Sequence, residues 1–184
     1  MRHLLILFLA ALCFALAQEA YYPAREGLAW TYSNGETQMF EGVKAVSGQS
    51  AQVLVHYLQG TPISEDYLIY DGNGVRSIGT AAGGQTLIYS PFLTFFPAPP
   101  LAVGQTWSSS AKVADFDISI NAEVVAVRGV QTQAGRFNAL QIRQQTITST
   151  GAQTVLDLFF VPSIGIVRWL TQDGTSIDLI DKNF

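Results

Sequence analysis

The sequence carries one motif twice, as Pro23-Ala-Arg-Glu-Gly27-Leu-Ala-Trp30-Thr-Tyr-Ser33 and as Pro100-Leu-Ala-Val-Gly104-Gln-Thr-Trp107-Ser-Ser-Ser110. Both copies follow the pattern Pro-x3-Gly-x2-Trp-x2-Ser, and position 100 follows position 23 by 77 residues. Proline and glycine favour a turn, and a tryptophan that opens an extended run can anchor a sheet. We therefore predict that each copy begins one half of the molecule.

Alternating apolar and polar residues, separated by turn signals, fill the rest of the chain. Residues 53–57 and 112–128 alternate in this way, which is typical of half-buried strands. Asn34-Gly35 and Asp71-Gly72-Asn73-Gly74 are hairpin signals. No convincing helical period follows the amino-terminal apolar run. The pattern predicts an all-β protein, a strongly twisted antiparallel sheet or half-barrel of about 8–10 strands built from two related halves.

The two halves are predicted to form a single β domain, residues 18–184. The first half spans 18–90, the second spans 101–184, and a connection rich in proline and phenylalanine spans 91–100. This connection holds four prolines in ten residues. Proline breaks helices and removes a donor from a strand, so the composition excludes a helix and makes a central strand improbable.

The amino terminus has the pattern of a secretory signal peptide. A basic start is followed by an apolar run, and Ala15-Leu16-Ala17 places small residues where a signal peptidase cuts. We predict a signal peptide over 1–17, cleavage before Gln18, and export to the periplasm or the extracellular space. The run is shorter than the ~20 residues of a membrane-spanning helix, so the mature chain is expected to lack a transmembrane segment. Lipid attachment at Cys13 is the alternative, but Leu12 occupies the preceding position, where a small residue is expected.

The expected mature chain has few reactive side chains. Cleavage removes the single cysteine and one of two histidines, which leaves His56 as the only imidazole and excludes disulfides and thiol chemistry. It also removes Arg2, so the formal net charge changes from −4 to −5. There is no basic cluster of the kind that nucleic-acid binding requires, and we expect no nucleic-acid partner.

Further turn motifs give the chain a resemblance to a known group of proteins. Residues 134–140, beginning Ala-Gly-Arg-Phe, and residues 162–168, beginning Pro-Ser-Ile-Gly, accompany the two tryptophan motifs. Together they resemble a pattern in uncharacterised exported bacterial β-proteins, from which this chain departs at Ser163-Ile164, usually glycine, and at Tyr22, usually phenylalanine. The resemblance implies a fold similar to the half-barrel of the periplasmic lipoprotein carriers (LolA/LolB type), with an apolar concave face. It supplies no catalytic residue.

No constellation in the sequence predicts catalysis or metal binding, so no catalytic residue, metal or cofactor is assigned. His56 lies on the mixed face of a predicted strand, and a metal or a general base needs further partners, so a structural or surface role is favoured. Asp115 and Asp117 share a predicted strand face and are expected to be solvated. Ser90 lacks the glycine elbow of serine hydrolases. A polar cleft that gathered His56 with two carboxylates would favour an enzyme.

Aromatic side chains are the predicted ligand-binding residues. We interpret the connection as either a plug for the open end of the sheet or a mobile apolar lid over a cavity, and the tryptophans as either core anchors or cavity walls. The leading hypothesis is an exported, non-catalytic protein that binds an apolar molecule, an acyl chain or a lipoprotein in its concave face. The alternative is a structural or protein-interaction module of the cell envelope with a self-filled core and an exposed sheet edge. The candidate residues are Phe92, Phe95, Phe96, Trp30, Trp107 and Trp169.

Overall fold

The structure, a computed structural model, describes residues 21–184. The predicted signal peptide, its cleavage before Gln18 and the alternative of lipidation at Cys13 lie outside the described residues. Within 21–184 no helix has the length and apolarity needed to cross a membrane.

Twelve strands follow one another in the described part of the chain. Each strand pairs in antiparallel fashion with the next, as the alternating pattern predicted, so the prediction of an all-β antiparallel protein is confirmed. The strands are β1 (Ala29–Tyr32), β2 (Glu36–Val46), β3 (Gln49–Leu58), β4 (Thr61–Asp71), β5 (Gly74–Ala82), β6 (Gln85–Pro97), β7 (Thr106–Val113), β8 (Phe116–Thr132), β9 (Gly135–Thr148), β10 (Gln153–Val161), β11 (Gly165–Thr171) and β12 (Ser176–Lys182).

The sheet closes into a barrel, which corrects the prediction of an open sheet or half-barrel of fewer strands. The first strand pairs with the last, with Trp30 opposite Lys182 and Thr31 opposite Asp181. Large twisted sheets tend to curl, and closure removes the exposed edges of an open sheet. The two halves of the chain contribute six strands each, β1–β6 and β7–β12.

The predicted connection 91–100 is largely part of the barrel wall, because β6 continues to Pro97. The prolines of this stretch had predicted a place outside the sheet. On β5, Gly79 pairs with Ile88 and Ser77 pairs with Leu93, so the residues around Pro91 form a bulge between these pairs. Proline is tolerated at a bulge and at a strand end, which are the places of Pro91 and Pro97.

The first copy of the tryptophan motif forms a turn that docks on β2. Gly27 has a positive φ of 82° and its amide donates to the carbonyl of Phe40 over 2.8 Å. The amide of Phe40 donates in return to the carbonyl of Leu28 over 3.0 Å. Trp30 then occupies the second position of β1.

The second copy repeats this geometry on β8. Gly104 has a φ of 84°, and its amide donates to the carbonyl of Val124 over 2.8 Å. The amide of Val124 donates to the carbonyl of Gln105 over 2.9 Å, and Trp107 is the second residue of β7. The two sequence motifs therefore share their local backbone structure, and β1 and β7 begin within them.

The main apolar cluster fills the barrel interior, because its members come from strands all around the wall. Among its most completely buried side chains are Phe40, Leu68, Ile142 and Phe160. Two smaller clusters lie apart from it. One is formed by β2–β6 and one by β6–β8; their buried members are Val46, Ala51, Val53, Val55, Tyr67 and Ile78 in the first, and Leu93, Ala111 and Ile120 in the second.

The segment before β1 packs into the barrel. The ring of Tyr21 lies 5.0 Å from that of Phe160, and the ring of Tyr22 lies 5.5 Å from that of Phe96, measured between centroids. The carbonyl of Tyr21 accepts a hydrogen bond from the amide of Ser163 over 3.0 Å, in the turn between β10 and β11. This segment is thereby tied to strands of both halves.

Candidate functional site: an internal cavity

A half-open cavity of about 200 Å³ is lined in part by members of the main apolar cluster, among them Leu54, Leu68 and Phe96. Its wall combines residues of β2, β3, β4 and β6 with residues of β9, β10 and β11, so both halves of the chain form it. Most of the wall is apolar or aromatic, and the polar groups come chiefly from β2–β4. The lining residues are Tyr22, Gln38, Leu54, His56, Asp66, Leu68, Phe95, Phe96, Gln144, Leu156, Leu158, Ile166 and Trp169.

Three of the six predicted ligand-binding residues line this cavity: Phe95, Phe96 and Trp169. Phe96 is 4% exposed and its ring stacks on Phe160 with centroids 4.6 Å apart. Trp169 meets the ring of Tyr32 edge-on at 4.4 Å. These ring contacts hold two sides of the aromatic wall in place.

Trp30 belongs to the core. It is 2% exposed, and its Nε1 donates to the carbonyl oxygen of Ile164 over 2.6 Å. Its ring packs edge-on against Phe40 and Phe184, with centroids 5.9 Å and 5.2 Å apart. Trp30 is therefore a core anchor and not part of the cavity wall.

Trp107 and Phe92 lie away from the cavity. Trp107 is at the edge of a separate, more open groove of about 620 Å³ that it shares with polar residues of β7–β9, among them Glu123 and Arg143. Phe92 packs against the smaller cluster on β2–β6, with the guanidinium of Arg76 5.4 Å from its ring centroid. The six aromatic residues do not share one pocket.

A charged group of three side chains borders the cavity. His56 Nδ1 lies 2.8 Å from Glu36 Oε1, and His56 Nε2 lies 3.0 Å from Asp66 Oδ2. The strand register brings them together: His56 pairs with Gln38 on β2, two residues from Glu36, and Leu54 pairs with Asp66 on β4. Side chains on one face at such diagonal positions are within reach of each other.

Both ring nitrogens of His56 face carboxylates, so both must donate, and the imidazole is a cation. Burial is the largest influence on this group and lowers the pKa of His56. The hydrogen bonds and charges of Asp66 and Glu36 together outweigh it and raise the pKa to about 9. The hydrogen bond from His56 in turn lowers the pKa of Glu36 against the opposing effect of burial.

Two acceptor oxygens of this polar wall remain without a donor among residues 21–184. Asp66 binds His56 through Oδ2, which leaves Oδ1. Gln38 is 7% exposed and its Nε2 donates to Glu36 Oε1 over 2.8 Å, which leaves its Oε1. The orientation of the Gln38 amide follows from this contact, because a carboxylate accepts only from the nitrogen.

The sequence did not reveal this charged group. His56 was predicted to be structural or surface, and neither Glu36 nor Asp66 was predicted to be its partner. Glu36 lies 20 positions away, and only the β2–β3 register brings it to His56. The one available signal was the occurrence of an imidazole on a strand face that also carries apolar residues.

The other candidates do not join the cavity. Asp115 lies in the turn between β7 and β8, and Asp117 is exposed on β8. The two residues therefore do not share a strand face, which corrects the prediction. Ser90 is exposed on β6. Asp71-Gly72-Asn73-Gly74 forms the predicted β4–β5 hairpin turn. Among residues 21–184, no three His, Cys, Asp or Glu side chains are placed to hold a metal ion.

No protein-family model matches the chain, and no curated protein sequence matches it. Two solved structures are similar to this chain. A candidate lipoprotein from Parabacteroides distasonis is 13% identical with a TM-score of 0.49. A candidate exported protein with a YmcC-like fold from Bacteroides fragilis is 11% identical with a TM-score of 0.47. Each alignment covers 89% of this chain and 99% of the other.

The fold and the site define the class of this protein. It is a closed antiparallel β-barrel of twelve strands with a half-open cavity, which is aromatic on one side and charged on another.

Proposed function

We propose that this protein is an exported, non-catalytic binding protein that holds a small apolar ligand inside its barrel. The observation that carries the proposal is the cavity of about 200 Å³ with Phe95, Phe96 and Trp169 in its wall. An apolar protein cavity of roughly 150 Å³ is large enough to hold benzene. The volume therefore favours a ligand with one aromatic ring or a short aliphatic chain over a long acyl chain or a lipoprotein.

His56 does lie with two carboxylates beside the cavity, which is the arrangement that would favour an enzyme, but its hydrogen bonds support binding over catalysis. Both of its ring nitrogens are engaged by carboxylates, at 2.8 Å and 3.0 Å, and neither is free to take a proton from a substrate. A general base needs an unprotonated group within hydrogen-bond reach of the reacting proton. A cation that is locked between Glu36 and Asp66 serves instead as a fixed polar part of the wall.

Closure of the barrel supports a pocket-based function over the alternative of an envelope interaction module. That alternative needs a free sheet edge to which another chain adds a strand. In residues 21–184 every strand has a neighbour on each side. Export is part of the proposal because of the predicted signal peptide over 1–17.

Binding of indole, measured by isothermal titration calorimetry, tests the proposal. We expect saturable binding to the wild-type protein with one site per barrel. Leu156→Trp, which fills the cavity from its wall, is expected to abolish binding, and Leu156→Phe is a milder variant should the larger ring disturb folding. The matched control is Val127→Trp, because Val127 is 56% exposed and lies outside the cavity.

Circular dichroism and thermal unfolding would establish that each variant is folded. A folded wild-type protein that takes up neither indole nor any ligand of a small aromatic panel would contradict the proposal. Unchanged binding in a folded Leu156→Trp variant would place the ligand elsewhere and contradict it equally.

A further inference from the structure

We propose that the cavity selects ligands that carry an ammonium group next to their apolar body, and that Asp66 and Gln38 receive this group. This inference rests on the proposed function and names the chemical class of its ligand. Small arylalkylamines have this combination of groups.

The charge of the cavity wall is the first argument. His56 carries one positive charge because both ring nitrogens donate, and Glu36 and Asp66 carry one negative charge each. His56 and Asp66 are the only charged residues among those that line the cavity. These two charges cancel, so the net charge of −1 on the three side chains comes from Glu36, which binds His56 but does not line the cavity. A cation that enters the cavity offsets this charge.

The chemistry of the unused hydrogen-bonding atoms is the second argument. Asp66 Oδ1 and Gln38 Oε1 are both acceptors, and no donor among residues 21–184 occupies either. The two N–H groups of His56 are already engaged. An ammonium group has three donors and no acceptor, so it matches this wall, whereas a carboxylate would place its oxygens against Asp66.

The aromatic wall is the third argument. Tyr22, Phe95, Phe96 and Trp169 line the same cavity as Asp66. The faces of aromatic rings attract cations, and the attraction increases when the cation is removed from water. The same rings offer apolar surface to the body of the ligand. One pocket can therefore bind both the ammonium group and the apolar body.

Three probes with the same phenylethyl body test the inference: 2-phenylethylamine, 2-phenylethanol and phenylacetate, titrated at pH 7 by calorimetry. They differ in the charge of the head group, which is positive, neutral and negative in this order. We expect the amine to bind at least tenfold more tightly than the alcohol, and phenylacetate to bind most weakly.

Asp66→Asn provides the test at the residue itself. It is expected to remove the preference for the amine over the alcohol while leaving the affinity for 2-phenylethanol within about threefold. Asp117→Asn is the matched control, since it removes one carboxylate from an exposed position on β8. Gln38→Leu is a second variant, with the same expected loss of preference, should Asp66→Asn fail to fold.

The outcomes separate this inference from the proposed function. Equal binding of amine and alcohol, or tighter binding of phenylacetate, would overturn the inference and leave an apolar binding protein. A preference for the amine that persists in folded Asp66→Asn and Gln38→Leu variants would also overturn it. Absence of binding for all three probes and for indole would overturn both.

Discussion

Nε2 of His56 lies 3.0 Å from Oδ2 of Asp66, across the boundary between β3 and β4. The side chains of the two residues are 17% and 25% exposed, so water screens the contact only in part. Asp66 on β4 and Glu36 on β2, the two strands that flank β3, together keep the imidazole charged within a mostly apolar interior. The stability of the barrel is therefore linked to the protonation of one residue.

The pH dependence of unfolding follows from this linkage. The pKa of His56 is raised from 6.5 to about 9 in the folded protein. The folded state then holds a proton that the unfolded chain releases, so the stabilisation is complete below pH 6.5, decreases as the pH rises, and is lost above pH 9. We expect up to about 3 kcal/mol of stability to disappear over this range.

Urea unfolding from pH 6 to pH 10 would measure this dependence, with His56→Gln as the comparison. The variant is expected to be less stable than the wild type at pH 6 and to lose less stability with rising pH. Parallel curves for the two proteins would show that His56 is not the group responsible.

The two tryptophans of the repeated motif are expected to respond differently to removal of the indole N–H. Trp30 Nε1 donates to the carbonyl of Ile164, whereas Trp107 Nε1 is buried without a partner among residues 21–184. Trp30→Phe leaves the part-buried carbonyl of Ile164 without its donor and should cost about 2 kcal/mol. Trp107→Phe removes an unsatisfied donor and should cost less than about 1 kcal/mol. Chemical denaturation of both variants checks this, and equal losses would contradict it.

Gly74 should not tolerate a side chain. It has a φ of 117°, and a Cβ atom there would collide with the carbonyl oxygen of Phe96 and lie 2.6 Å from the carbonyl carbon of Pro97. Gly74→Ala is expected to lower the free energy of unfolding by more than about 2 kcal/mol. Gly129→Ala is the control, because nothing lies within 4 Å of a Cβ atom at that position. Similar unfolding midpoints for both variants would be the contrary result.

The contact between β6 and β7 is expected to depend on one serine. The paired residues of these strands are Ser90 and Lys112, and the amide of Thr94 donates to the side-chain oxygen of Ser109 over 3.0 Å. Ser109→Ala should cost roughly 1 kcal/mol and speed hydrogen exchange at the Thr94 amide. Ser108→Ala, at an exposed neighbouring position, should change neither. Slow exchange at Thr94 in the Ser109→Ala variant would show that another group protects this amide.

Local sequence patterns predicted much of the fold. Alternation predicted the strands, and hairpin signals such as Asn34-Gly35 predicted where they turn. The repeated Pro-x3-Gly-x2-Trp pattern predicted two equivalent turns, and Gly27 and Gly104 make matching hydrogen bonds. Proline content misled the prediction at 91–97, because a bulge in the β5–β6 pairing accommodates Pro91 without breaking the strand.

The candidate site was predicted only in its aromatic part. Phe95, Phe96 and Trp169 were predicted because large aromatic rings stabilise a protein wherever they are buried. This criterion does not distinguish a cavity wall from a packed core. Phe92 and Trp107 were therefore included although they pack elsewhere. The charged part could not be found in this way, because it consists of single residues on three strands.

By itself the sequence determined that the chain folds into antiparallel strands and where most of the turns lie, since these depend on residues that are close along the chain. Closure of the barrel, the cavity and the meeting of His56 with Glu36 and Asp66 were decided by tertiary structure. They depend on the register between strands and on how far the sheet curls. Both are set by the packing of the whole interior, and no short stretch of sequence contains that information.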